Sequence, residues 1–338
     1  MTKEQEPLTS SELATLWVVY EKKTMMVRII DFFLVHNQDP EARKIFQSFI
    51  KGESKFVKEL SQIFKQEGAA VPVGFTENDV NHSAPKLYDD IFEVMYLRTM
   101  MKIASGIHAL HISMSYRKDI MNLYQKFTKY AEAFCEETTQ YLLDKGVLPK
   151  SPYINLPKHV EFAKTKDYRS GLKLTGHRRP LNAVEVAYLY QTVEANIAGM
   201  KLMTGFAQVA KAKDIRQYFF RGKELSKQIT KTFSNILMES DINAPATSAG
   251  RVTNSTMSPF SDKLMMYNTS LLNSFALGSN AIGTTFSLRK DLPLKMMGTA
   301  KDILDFASDG GDLMIEHGLM EEPPQMEDRT QLSKGQNG

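Results

Sequence analysis

Apolar positions along residues 8–146 recur at intervals of three and four, the spacing of one face of an α-helix. Leu13, Leu16, Tyr20, Thr24, Val27, Asp31 and Leu34 form one such stripe, and Ala42, Ile45, Phe49, Phe56, Leu60 and Ile63 form a second. A third carries Leu87, Ile91, Val94, Met101 and Ile107, and a fourth carries Ile120, Phe127, Ala131, Phe134, Thr138 and Tyr141. The pattern predicts four helices. Local chemistry marks their ends. Thr9 opens the first as an N-cap, Glu12 returns the bond, and Leu8 and Leu13 supply the flanking staple. Asp39-Pro40 opens the second, Ala84-Pro85 the third, and Gly146 stands at the C′ position that ends the fourth.

The same signals return from residue 181. Asn182 caps, Glu185 returns the bond, and Leu181 and Val186 form the staple. "FIKGE" (49–53) aligns with "FFRGKE" (219–224), which places Gly52 over Gly222. "SYRKD" (115–119) aligns with "SLRKD" (287–291), and "LLDKGVL" (142–148) with "MIEHGLM" (314–320), pairing Gly146 with Gly318 at the same offset of 172 residues. A tandem duplication follows: one four-helix bundle over 8–146 and another over 181–320, with helices near 183–209, 212–240, 259–286 and 289–317. Between them, 147–180 is a proline-punctuated linker with eight basic against two acidic side chains. The stretch 321–338 has almost no apolar residue and reads as a disordered tail.

Connection lengths narrow the topology. Helices one and two, and three and four, are separated by only a few residues, so each pair is an antiparallel hairpin. The segment 69–83 is fifteen residues without a helical stripe. A helix of 28 residues is about 42 Å long, and fifteen extended residues reach about 50 Å. A loop of that reach can run the length of the bundle, the ferritin-like pattern of one long crossover between two hairpins. An up-down-up-down bundle with a folded-back loop is the alternative. The fold class is all-α in either case.

Composition adds exclusions. The chain of 338 residues is 42% hydrophobic with a net charge of +3, which suits two globular units without the basic field of a nucleic-acid binder. One cysteine, Cys135, excludes an internal disulfide and a thiolate metal cluster. No apolar leader opens the sequence, and its richest apolar run (25–35) is short and carries charge. A cytoplasmic protein without a membrane span is expected.

Candidate chemistry is thin. A di-iron bundle site needs Glu-x-x-His on two helices, and none of the seven histidines has Glu three positions before it. The candidate interior acids Asp31, Glu53, Glu93 and Glu136 align with Thr204, Lys223, Met265 and Ser308, which cannot form an equivalent cage. His108 and His111 lie one turn apart and Asp79 and His82 are close in the crossover, so these four are the metal candidates, for iron or manganese. Ser115 and Ser287 are placed to cap the fourth helices, Asp119 and Asp291 to favour their dipoles, and the neighbouring Arg-Lys pairs to sit exposed. Gly52 and Gly222 within helices imply close packing or room for a ligand. The 19 methionines, among them the adjacent pairs Met25-Met26, Met100-Met101, Met265-Met266 and Met296-Met297, are read mostly as fillers of core gaps, and pairs that cannot both face one core as lining for a surface between the bundles.

"LTSSELATLW", "VPVGFTENDVNHSAPKLYDD", "KGVLPKSPYINLP", "RRPLNAVEVAYLY", "FFRGKEL" and "SPFSDKLM" together resemble a tandem-domain family of spore-forming bacteria related to the ferritin-like spore coat protein F group. The resemblance covers nearly all of 8–320. It implies two ferritin-like bundles and an association with sporulation, in the forespore or spore coat, and brings no catalytic residues. A non-enzymatic structural or interaction protein, with protein partners or self-association, is the first expectation. A metal-dependent oxidase or metal store, and a binder of a small apolar ligand in the bundle core, are the alternatives.

Overall fold

A computed structural model describes residues 6–171, 179–245 and 250–333. The described residues form eight long helices: α1 (Ser10–His36), α2 (Pro40–Gln66), α3 (Asp90–Ser113), α4 (Lys118–Asp144), α5 (Ala183–Val209), α6 (Lys213–Met238), α7 (Asp262–Phe286) and α8 (Asp291–Glu316). A short α9 (Arg329–Ser333) and 3-10 turns at Glu77–Asp79 and Lys166–Arg169 complete them. The fold is all-α, and no described helix is long and apolar enough to cross a membrane.

Hydrogen bonds fix the directions of the first four. The start of α1 meets the end of α3 through Glu12 and Arg117, while its end meets the start of α3 through Asn37 and Glu93. Asp39, before α2, takes Lys145, after α4, at 2.8 Å. The hairpins α1–α2 and α3–α4 therefore pack antiparallel, and α2 and α3 point the same way. The segment joining them climbs the outside of α1. Phe75 N donates to Thr24 Oγ1, Glu77 pairs with Arg28, and His36 Nε2 meets the His82 carbonyl. The third helix begins at Asp90, capped by Asp89, not at Ala84-Pro85. Residues 80–89 are committed elsewhere, to the matching loop of the other half.

That pairing joins the halves. Val80 bridges Phe260 and Tyr88 bridges Val252, both antiparallel. Asn81 N donates to Pro259 O, Ser261 N to Asp79 O, Asp89 N to Arg251 O and Thr253 N to Leu87 O, all within 3.0 Å. Nearby, Tyr88 donates to the Leu202 carbonyl, and Arg98 and Lys102 of α3 share Glu194 of α5. The core follows the same plan. Met25, Met26, Met100, Met101, Met265 and Met266 are all buried in one central cluster drawn from both halves. Separate clusters lie at the far ends, around Trp17, Phe64 and Tyr124 in one half and Val193, Phe233 and Leu292 in the other. The halves thus share a central core, and each also encloses a smaller cluster of its own; Met296 lies in that of the second half, with Met297 exposed beside it.

Burial also corrects the repeat alignment. Ala42, Ile45, Phe46, Phe49, Phe56 and Leu60 of α2 match Ile215, Tyr218, Phe219, Gly222, Ile229 and Phe233 of α6, each 173 positions on. Gly222 is level with Phe49 and Gly52 with Leu225. The two glycines are not equivalent.

Residues 153–169 of the linker lie exposed, with Tyr153, Leu156 and Phe162 more than 80% accessible, whereas Gly171 is buried; residues 172–178 fall outside the described part. The segment from 321 is not featureless. Glu321 accepts from Val73 N and Gly74 N and pairs with Lys263 at 2.9 Å.

Candidate functional site

The interior of α5–α8 is hollow at mid-height. A cavity of about 100 Å³ lies among α5, α6, α7 and α8, with α3 of the other half as a further wall. Gly199, Gly222, Leu202, Ile229 and Phe306 give it an apolar lining, and Phe92, Tyr96 and Met100 close the α3 side. Residues 194–201 of α5 are half-buried, which places the hollow near the surface. Two side chains of the lining carry polar atoms without a hydrogen-bond partner, Nδ2 of half-buried Asn273 and Oδ1 of the more deeply buried Asn280. Asn280 is 4% exposed, lines the cavity, and its Oδ1 has no hydrogen-bond partner. A buried acceptor without a donor carries a penalty of about 1–3 kcal/mol.

The same level of the first half is filled. Across the 173-residue register of the first two helices, Ala195 stands for Lys22, Asn196 for Lys23, Gly199 for Met26, Gly222 for Phe49 and Ser226 for Glu53. Asn280 stands for His108, 172 positions back in α3. Lys23 donates to Glu53 at 2.9 Å, both buried, and its ammonium lies 4.1 Å from the Phe127 ring centre. Lys22 is buried beside it with no partner for Nζ. Burial, helped by the Lys23 charge, pulls the Lys22 pKa down to about 7. His108 and His111 pack against Tyr124, their ring centres 6.2 Å apart. Burial first, then the Lys22 charge, pushes both imidazoles below their ordinary range, His111 to about 4.

That arrangement does not fit a bundle metal cage. Glu53 is engaged by Lys23, and a second lysine faces the histidines. Glu93 is buried at another level, bonded to Asn37 at 2.6 Å, and burial raises its pKa to about 8. Glu136 is exposed and Asp31 lies outside, beside the crossover. Asp79 and His82 do not come together either. Asp79 accepts from Thr76 N and from Ser261 Oγ, fixing the loop, whereas His82 faces Asp31 and Glu77.

At the ends of the halves, the capping glutamates act twice. Thr9 and Glu12 form a capping box, as do Asn182 and Glu185. The other oxygen of Glu12 accepts from Tyr116 N and Arg117 N at 2.9 and 2.7 Å, and that of Glu185 from Leu288 N and Arg289 N at 3.2 and 3.0 Å. Ser115 and Ser287 do not cap α4 and α8. Ser115 Oγ turns back to the His111 carbonyl and Ser287 Oγ has no partner, because the carboxylates have taken the N–H groups. Nor are the arginines of these turns exposed. Arg117 is buried against Asp119 and Glu67, and Arg289, 2% exposed, against Asp291. Of each Arg-Lys pair only the lysine, Lys118 or Lys290, faces solvent.

Gly146 and Gly318 adopt φ of 68° and 62° at their C′ positions. Gly52 lies under the Tyr130 ring, which a Cβ would approach to 2.5 Å, and Gly222 under Phe306, at 2.6 Å.

Comparison with known proteins places the chain. The family model described as "Protein of unknown function (DUF3231)" matches it twice, over residues 1–160 and 169–332. The chain belongs to the DUF3231 family. No curated protein matches it. Among solved structures, a protein of Bacillus halodurans proposed to be a spore coat protein is 17% identical, with a TM-score of 0.38; the match covers 46% of this chain and 98% of that one. A score that low carries no argument about fold or role.

The two DUF3231 matches contain α1–α4 and α5–α8 respectively. Both halves carry the glutamate latch and the Arg–Asp turn, and they differ in what fills the middle. The sequence held that signal in the large-to-small replacements at Lys22/Ala195, Met26/Gly199 and Phe49/Gly222. Aligning Gly52 with Gly222 concealed it.

Proposed function

We propose that this protein binds rather than catalyses: the hollow of its second half holds a small, mostly apolar molecule that donates one hydrogen bond to Asn280. The observation that carries the reading is the unpaired, buried Asn280 Oδ1 in an apolar cavity, at the level where the first half is filled by charged side chains. An apolar cavity of roughly 150 Å³ accepts a benzene-sized guest, so this smaller one suits a guest no larger than a small single ring or a short branched chain. The framework reading is two ferritin-like four-helix sets. Its support is the antiparallel hairpins, the shared direction of α2 and α3, and the crossover along α1. The resemblance to spore-former proteins suggests sporulation as the setting.

Pyrrole and furan test the binding. They are nearly isosteric single rings, and only pyrrole has an N–H to give. Native mass spectrometry of untagged protein reports any carried ligand, and thermal melting reports the added probe. Pyrrole is expected to raise the melting temperature more than furan, and Gly199→Leu, which fills the hollow, to remove the effect while the helices persist. Equal absence of response to both probes, together with a ligand-free mass, would sink the proposal.

A further inference from the structure

Where the crossover climbs α1, three side chains converge that neither interior uses. Asp31, Glu77 and His82 each offer one ligand atom, and these all lie within 4.8 Å of one another. His82 Nε2 is 3.4 Å from Asp31 and 3.7 Å from Glu77. Charge-assisted N–H···O bonds close to about 2.7–2.9 Å, as His317 does on Asp214 at 2.7 Å elsewhere in this chain. The His82 contacts are longer than that. Donors bound to one ion at about 2.0–2.2 Å are held roughly 3–4 Å from one another, the spacing that His82 keeps to each carboxylate.

A protonated His82 would ion-pair with both carboxylates, though at distances longer than such a pair closes to. His82 Nδ1 is buried without a partner, and among the described residues neither ring nitrogen takes part in a hydrogen bond. The Asp31 carboxylate forms none either. Two carboxylates gathered this closely repel unless positive charge lies between them. Arg28 engages Glu77 through Oε1, leaving Oε2 turned toward His82. The histidine is held from its other sides. Its carbonyl meets His36 Nε2 at 3.1 Å, and its ring stacks on Phe32.

We propose that Asp31, Glu77 and His82 bind one divalent transition-metal ion, zinc or manganese, with water in the remaining positions. One imidazole and two carboxylates form a mixed nitrogen and oxygen set suited to either ion. Asp31 belongs to a helix and the other two ligands to the loop, so the ion clasps the crossover to α1. It is separate from the hollow of the second half and independent of the binding function proposed for it.

The test is calorimetric titration of chelator-stripped, untagged full-length protein with zinc and with manganese, alongside thermal melting. One ion per chain and a higher melting temperature are expected. His82→Ala and Asp31→Asn should each weaken binding by more than the roughly 10–100-fold that losing a supporting residue costs a metal site. His317→Ala should leave it unchanged. Circular dichroism of each variant separates lost binding from lost folding. Failure of both ions to bind stoichiometrically to the intact chain, or binding that survives both substitutions, overturns the site.

Discussion

Glu12 and Glu185 each satisfy three backbone N–H groups from two helix starts with a single carboxylate. Burial alone would raise their pKa values. For Glu12 the N–H groups of Arg117, Thr9 and Tyr116 outweigh it, and for Glu185 the Arg179 guanidinium and the N–H groups of Asn182 and Arg289 do. Both acids therefore remain ionised below their ordinary range, and the stability they confer is lost only as pH falls through those lowered values. Lys22 is the opposite case. Its pKa is about 7 in the folded chain against an ordinary 10.5, so burying it opposes folding most below pH 7, and this opposition fades as pH rises toward 10.5. Replacing it with methionine removes a buried ammonium without a partner. Lys22→Met is expected to raise the melting temperature, and by more at pH 6 than at pH 9. A loss of stability at pH 6 would show that Lys22 has a partner that this reading lacks.

Among the elements, helix boundaries set by local chemistry were legible. Thr9, Asp39 and Asn182 cap where the sequence places them, because capping depends on residues within one turn. Boundaries set by distant partners were not. Ala84-Pro85 carries a sound helix-start signal, yet this stretch leads into the strand-like pairing with 251–253, which no local rule reveals. The serines of the "SxRKD" turns misled for the same reason, since the acceptors for those N–H groups come from more than 100 residues away. The hollow was legible only once burial supplied the right register. Gly205 shows how closely the halves approach. A Cβ there would lie 2.4 Å from the Tyr88 hydroxyl, whose hydrogen bond to Leu202 joins the crossover to α5. Gly205→Ala should destabilise the protein by about 1–3 kcal/mol, the usual range for overpacking, read as a lower urea midpoint. An unchanged midpoint would mean that this contact yields freely.

At the scale of the whole molecule, the shared core decides how the chain can be divided. Phe32 and Phe33 of α1 pack against Phe260, which precedes α7, and the methionine pairs lie in the same cluster. Residues 1–171 produced alone would expose that surface. Size-exclusion chromatography with light scattering is expected to show this fragment self-associating or unfolded, whereas full-length protein melts in one cooperative transition. A stable, monomeric fragment with native helix content would show that the halves fold independently.

The wall that α3 lends to the hollow has a further consequence. Two free chains meeting through such a surface would separate on dilution, and the chamber would lose a side. Here one polypeptide holds both partners at a fixed effective concentration, so the chamber remains complete however scarce the protein becomes, and its affinity for a guest should be the same at nanomolar as at micromolar protein.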